Sequence, residues 1–321
     1  MIKLSGVTKR YGDTLAVDKL TFEVEPGLVT GFLGPNGSGK STTMRMIVGL
    51  DAPDSGTASI NGKAYKDLGY PLREVGALLE AKAIHPGRSA FNHLLFLAQS
   101  NDIPRARVHE VLEMVGLSEV ANKRAGKFSL GMGQRLGIAA ALLGDPPVLL
   151  FDEPINGLDP EGVLWVRNLL KSLASEGRTV FVSSHLMSEM ALTADRLVVI
   201  GRGHLISSGS VTEVIDKSSG KFVRVRSPKT INLQEILKAN GAQISNESDG
   251  TLSVSGLSAE AIGDIAGHEG IYLHELSPQT ASLEEAFMEL TRDSVDYRGL
   301  STVKSKVSKK IFSNKSLTTG K

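Results

Sequence analysis

Gly34-Pro35-Asn36-Gly37-Ser38-Gly39-Lys40-Ser41 fits the pattern G-x-x-x-x-G-K-[ST] of a phosphate-binding loop. An apolar, strand-like run, Leu28 to Leu33, leads into it, and a helix-like run, Thr42 to Leu50, leaves it. Backbone N–H groups of such a glycine-rich turn surround phosphate oxygens, and the N-terminus of the next helix adds positive potential. In that arrangement Lys40 neutralises β- and γ-phosphate oxygens, and the Ser41 hydroxyl holds Mg²⁺.

Val148-Leu149-Leu150-Phe151-Asp152-Glu153 carries the second signal. Its four apolar residues, bounded by Pro146-Pro147 and Pro154, fit a short parallel strand covered on both faces. Acids at the C-terminal end of such a strand stand where open α/β sheets bind ligands. Asp152 is expected to hold Mg²⁺ through water, and Glu153 to polarise an attacking water. Between the two motifs, Phe128-Ser129-Leu130-Gly131-Met132-Gly133-Gln134-Arg135 precedes an apolar, helix-like run, Leu136 to Leu143. A capping serine and the N–H groups behind it form a second candidate anion site.

Together these segments resemble the ABC ATPases. Ser129 and Gly131 match the serine and second glycine of that family's L-S-G-G-Q signature. Leu130 stands where the first glycine is usual, and Met132 where the glutamine is usual. Asn156-Gly157-Leu158-Asp159 resembles the D-loop. His185, after Thr179-Val180-Phe181-Val182 and Ser183-Ser184, resembles the switch histidine that contacts the γ-phosphate. Tyr11 resembles the aromatic that stacks on adenine, and Glu80 occupies the place of the Q-loop glutamine. The resemblance covers residues 1 to 215, with motifs that agree in type, order and spacing. The S-L-G-M signature and Glu80 are similar to the bacterial ABC-2 branch, which includes ATPase subunits of bacitracin-type, lantibiotic-type and other drug exporters.

This resemblance implies an α/β fold: the P-loop NTPase core of an ABC ATPase, with a RecA-like parallel sheet, an antiparallel β-layer and a helical subdomain. It implies ATP binding by Tyr11, Gly34, Pro35, Asn36, Gly37, Ser38, Gly39, Lys40, Ser41, Thr42, Glu80, Ser129, Gly131 and Asp159. Mg²⁺ would sit at Ser41, Asp152 and Glu80, with Glu153, His185 and Lys40 as catalytic residues. It further implies a homodimer in the ATP-bound state and a membrane permease encoded as a separate chain. The expected function is ATP hydrolysis that powers export of a drug, antibiotic or peptide. The expected place is peripheral, on the cytoplasmic side of the bacterial plasma membrane. The alternative is a soluble ABC ATPase of translation or DNA repair. Translation-type members carry two cassettes in one chain, and repair-type members insert a long coiled coil between loop and signature. This chain has one copy of each motif and only about 90 residues in that interval, so transport is favoured.

Composition sets the outer bounds. At 321 residues the chain is long enough for a large core and two domains. Its 41% hydrophobic and 22% charged residues are those of an ordinary globular protein. A net charge of +1 supplies no global field for nucleic acid, and no specific nucleic acid is expected. The chain has no cysteine, which excludes disulfides and cysteine metal sites. No stretch approaches the roughly 20 apolar residues that span a bilayer, so the membrane path is expected from another polypeptide.

Along the chain, 1–216 reads as the nucleotide-binding domain, with a helical subdomain at about 85–145 holding helix-like Phe91 to Ala98 and Val108 to Val115. Asn61-Gly62 between apolar runs is a hairpin signal. Lys217-Ser218-Ser219-Gly220-Lys221 reads as a linker. Beyond it, strand-like Phe222 to Val225, Ala242 to Ile244, Leu252 to Val254 and Ile271 to Leu273 alternate with helix-like Asn232 to Ala239 and Ala259 to Ala266. A last helix, Leu283 to Leu290, follows. That order predicts a small α+β, ferredoxin-like accessory domain at 221–295, similar to the accessory C-terminal domain of ABC-2 ATPases. Residues 298–321 contain seven basic and no acidic residues and read as a solvated, disordered tail.

Overall fold

In the computed structural model, which describes residues 1–80, 83–217, 221–228, 230–247, 250–280 and 282–292, the chain opens with an antiparallel pair, β1 (Ile2–Tyr11) and β2 (Thr14–Val24). β3 (Val29–Leu33) then passes through the phosphate loop into α1 (Lys40–Ile47). β4 (Ser55–Ile60) returns to pair with β1, giving a layer of order β2-β1-β4. The Asn61-Gly62 turn adopts φ values of 49° and 82°, the left-handed pair a type I′ turn requires. Its second arm is shorter than a hairpin demands: Lys63 forms a bridge to Ile60 and no strand follows.

After α2 (Pro71–Glu74) and β5 (Val75–Leu78) come three helices, α3 (Ala90–Gln99), α4 (Arg105–Met114) and α5 (Leu130–Leu142). α5 begins at Leu130 rather than at Leu136, where the apolar run starts. Ser129 accepts a hydrogen bond from the Met132 amide at 3.2 Å, and this N-cap draws the glycine-containing signature into the first turns of the helix. The chain continues through β6 (Val148–Asp152), α6 (Pro160–Ser175), β7 (Thr179–Ser183), α7 (Met187–Thr193), β8 (Arg196–Gly201), β9 (His204–Ser210) and α8 (Val211–Lys217).

Six strands form the main sheet in the order β5-β6-β7-β3-β8-β9, parallel throughout except for the β8–β9 pair. Both faces are covered, so the strands are apolar on both sides. On one face Leu33, Leu149, Phe151, Val180 and Val182 join the core under the helices. On the other, Phe32, Leu150, Phe181 and Val198 join the core beneath the antiparallel layer. Phe22 of that layer closes the joint, its ring centroid 5.6 Å from Phe32 and 5.7 Å from Phe181.

The C-terminal part comprises β10 (Lys221–Arg226), α9 (Thr230–Ala239), β11 (Gln243–Asn246), β12 (Leu252–Ser255), α10 (Ala259–His268), β13 (Glu275–Thr280) and α11 (Leu283–Leu290). Its strands pair antiparallel in the order β11-β12-β10-β13, a ferredoxin-like α+β unit with its own small core. The last strand lies later than Ile271 to Leu273. Ile271 is a buried plug behind α10, and the more polar Glu275–Thr280 pairs with β10 instead. Pro278 is tolerated there because β13 is an edge strand. The 218–220 part of the linker and the basic tail, 298–321, lie outside the described residues.

α11 leaves its neighbours in sequence. It packs on α7 and α8, and Leu283 joins the core of the larger unit, with Phe287 and Leu290 against it. The helix therefore serves the larger core rather than the ferredoxin-like core that precedes it. Leu283→Ala is expected to destabilise the large unit by about 2–5 kcal/mol, measured as a lower urea midpoint; an unchanged midpoint would show that the contact adds nothing.

Candidate functional site

Parallel strands put their C-terminal ends on one edge, and three such ends meet here. β6, β7 and β3 are consecutive in the sheet, so Asp152-Glu153, the segment before His185 and the phosphate loop are neighbours. Open α/β sheets bind ligands at this edge. The loop depends on glycine at two positions. Gly39 has φ 102°, and a Cβ there would lie 2.5 Å from the Ala16 carbonyl oxygen. A Cβ at Gly34 would lie 2.3 Å from Ser38 Oγ. Gly203, in the β8–β9 turn, braces the loop from behind by donating its amide to the Ser38 carbonyl at 3.0 Å.

Lys40 is 8% exposed and folds back over its own loop. Its ammonium donates to the carbonyls of Gly34 at 2.6 Å and Pro35 at 3.3 Å. Burial pushes this ammonium below the ordinary lysine value, and the Glu153 and Asp152 charges act against that shift. Ser41 Oγ donates to Asp152 Oδ2 at 2.7 Å. The other oxygen of Asp152 accepts from Ser183 Oγ, which itself accepts from the Glu153 amide at 3.0 Å. Glu153 Oε2 accepts from the His185 amide at 3.3 Å and meets His185 Nδ1 at 2.8 Å. Lys40, Ser41, Asp152, Glu153 and His185 thus converge.

A cavity of about 480 Å³ opens over Lys40, Ser41, Asp152 and Glu153, and His185 lies off its wall, behind Glu153. Its wall includes Asn36, Gly37, Ser38, Gly39, Lys40, Ser41, Thr42, Glu80, Asp152 and Glu153. Gly34 and Pro35 lie behind it, contributing the carbonyls that Lys40 holds. Tyr11 stands off this wall at the end of β1, 46% exposed, its hydroxyl donating to Asp51 Oδ2 at 2.7 Å. Arg45 of α1 grips the same carboxylate at 2.7 Å, so the ring is tied to the helix that the phosphate loop starts. Ser129, Gly131 and Asp159 also lie off the wall. Ser129 caps α5, and Asp159 caps α6 by accepting from the Gly162 amide at 2.9 Å.

Further residues not assigned a role from sequence shape this site. Ser183 joins the two acids, although the sequence gives it only as part of a strand end. Gln134 lies inside the signature stretch, where the sequence gives it no role. It is 3% exposed and donates Nε2 to the Glu153 carbonyl at 3.0 Å. Its burial is the informative property, and that property is invisible in a single sequence. Asn156 and Ala16 also line the cavity.

A glycine-rich loop at a helix N-terminus, two acids at the end of β6, which β7 separates from β3, and a helical insertion between them define a P-loop nucleoside triphosphatase of the cassette type. A family model described as ABC transporter matches residues 17–156, and one described as a domain of unknown function (DUF8746) matches residues 221–284. The uncharacterized ABC transporter ATP-binding protein YhcH of Bacillus subtilis is 36% identical over 91% of this chain and 96% of its own length. The bacitracin transport ATP-binding protein BcrA of Enterococcus faecalis is 33% identical over 90% of this chain and 96% of its own length. Among solved structures, a dimer of the ATP-binding cassette MJ0796 bound to ADP and Pi is 28% identical, with a TM-score of 0.59, over 65% of this chain and 98% of that one. The chain belongs to the ABC transporter ATP-binding proteins, and its activity is that family's ATP hydrolysis.

Ser183→Ala removes one partner each from the Asp152 carboxylate and the Glu153 amide. The expected result is a loss of about 1–3 kcal/mol of stability, read by urea denaturation, together with reduced ATP turnover. Unaltered turnover would show that the hydroxyl does not orient the acids.

Proposed function

We propose that Lys40 and the amides of the Gly34–Ser41 loop hold the β- and γ-phosphates of ATP, and that Glu153 is the general base. The convergence of Lys40, Ser41, Asp152, Glu153 and His185 carries this reading. The buried Lys40 ammonium is held by neutral carbonyls, so an arriving phosphate supplies the charge it lacks. Glu153 is fixed through His185, and it can accept the proton of an attacking water beside the γ-phosphate. His185 holds the carboxylate and stands on the edge where the γ-phosphate would lie.

Ser41 Oγ and Asp152 Oδ2, hard oxygens 2.7 Å apart at the cavity wall, fit Mg²⁺. This ion is commonly held by one or two carboxylates and the substrate's phosphates, with water filling the rest. Mg²⁺, when bound, would neutralise charge that develops on the phosphates. Glu80, exposed on the same wall, would contribute a further oxygen. Tyr11 is read as the platform for adenine.

In this reading the protein works as a homodimer, with Ser129, Gly131 and Asp159 of one protomer completing the other's site. Their position off the wall of their own cavity suits that role. The division is a nucleotide-binding domain at 1–216, an accessory domain at 221–295 and a basic tail at 298–321. Among the described residues no helix is long and apolar enough to cross a membrane. By its family, the chain is read as a peripheral subunit on the cytoplasmic face, driving a permease supplied as another chain. Its similarity to a bacitracin transport protein over nearly the full length of both supports export of an antibiotic, drug or peptide.

Glu153→Gln keeps the shape of the base and removes its proton affinity. ATP binding is expected to persist while turnover falls by about 10²–10⁴-fold, and an ATP-dependent dimer is expected to accumulate in size-exclusion chromatography. Near-normal hydrolysis in this variant would overturn the choice of base. Ser129→Arg is expected to bind ATP normally yet prevent that dimer in the Glu153→Gln background; a dimer that still forms would overturn the shared site.

A further inference from the structure

We propose that Leu130 is a positioning residue: from the first turn of α5 it clamps the Glu153–Gly157 turn and thereby fixes the direction of the Glu153 carboxylate. The inference rests on the reading of Glu153 as the base. It explains why a large apolar side chain, 52% exposed, stands on the wall of a phosphate site.

Glu153 has φ 51°, a left-handed conformation that is strained for any residue with a side chain. Such strain persists only where the surroundings over-determine it. At one end of the turn the restraints are polar. The Glu153 amide donates to Ser183 Oγ at 3.0 Å, and its carbonyl accepts from Gln134 Nε2 at 3.0 Å and from the Asn156 amide at 3.2 Å. At the other end the restraint is steric. A Cβ at Gly157 would lie 2.1 Å from Leu130 Cδ2 and 2.6 Å from Leu130 Cγ, so the leucine rests directly on the glycine backbone.

The contact is reciprocal. A Cβ at Gly131 would lie 3.2 Å from Leu158 Cδ2 and 3.4 Å from the Gly157 carbonyl oxygen. Two leucines, one from each segment, therefore seat on two glycines of the other. Leu130 and Gln134 are separated by one helical turn and share a face of α5. From that face they hold the turn near Gly157 and at Glu153, respectively. A glycine at position 130 has no side chain with which to reach Gly157, and the turn would lose its steric restraint while keeping its hydrogen bonds.

The test is steady-state ATP hydrolysis by full-length Leu130→Gly, Leu130→Ala and Leu130→Met, with thermal unfolding of each to establish that it is folded. Misplacing a reacting group by about 1 Å costs up to about 10²-fold in rate. Leu130→Gly and Leu130→Ala are expected to lower kcat by about tenfold or more, with KM for ATP within about twofold of the parent. Leu130→Met, whose side chain still reaches Gly157, is expected to retain most of kcat. Turnover by Leu130→Gly equal to or above the parent's would overturn the proposal and make the leucine a mere obstruction. A raised KM with unchanged kcat would also overturn it, as would a Leu130→Met variant as slow as the glycine one. If Glu153→Gln keeps its activity, the reading of the base fails first, and the clamp loses its object.

Discussion

One carboxylate joins the three strand ends on which this site stands. Asp152 Oδ2 accepts from Ser41 of the phosphate loop, and Asp152 Oδ1 accepts from Ser183 at the end of β7. The register makes this possible, since Asp152 pairs directly with Ser183 across two parallel strands, and Phe32 of β3 pairs with Ser183 on the other side. The backbone register sets the strand ends side by side, and this hub ties the loop to the acids through side chains. Hydrogen bonds to a charged acceptor are stronger than neutral ones. The hub is therefore placed where stability and ligand geometry coincide.

The electrostatic state of the loop follows from the same packing. Lys40 is pulled inside by its carbonyl bonds, and burial lowers its hold on a proton. Glu153 and Asp152 offset that in part. The Ser41–Asp152 and Glu153–His185 contacts engage those carboxylates in the same cluster. A triphosphate would bring the negative charge that the buried ammonium and the N-terminus of α1 favour. Binding and charge compensation are then a single event.

Much of this was legible in the sequence, for a definite reason. The phosphate loop needs glycine where backbone must pass close to other backbone, and Gly39 against Ala16 is such a place. Buried parallel strands need apolar residues on both faces, so Val148 to Phe151 identify themselves. Contacts between distant segments were not legible. Nothing in Ser183-Ser184 announces that the first serine bridges Asp152 and Glu153. Nothing in Gln134 shows that its amide will be buried against the Glu153 carbonyl. Leu130 could be seen to replace a glycine, but the glycine it covers lies in a separate segment and is found only in three dimensions. The last strand of the accessory unit was misplaced because Ile271 to Leu273 is apolar, and apolarity alone does not distinguish a plug from a strand.

The end of the described chain bears on how the two units are joined. α11 follows the ferredoxin-like strands, yet its buried face belongs to the larger core, where it meets α7 and α8. The match to the domain of unknown function stops at residue 284, at the start of this helix. The accessory unit is therefore anchored at both ends: α8 leads out of the larger unit and α11 leads back onto it, and the two helices touch. Two anchors restrict a domain far more than one flexible linker, whose ends explore space freely. α7 begins at Met187, just after His185, so α11 packs on the helix that follows the site's histidine. Truncation before Leu283 would uncover apolar surface on the larger unit itself. The larger unit's core thus includes a helix that lies beyond the ferredoxin-like strands in the chain.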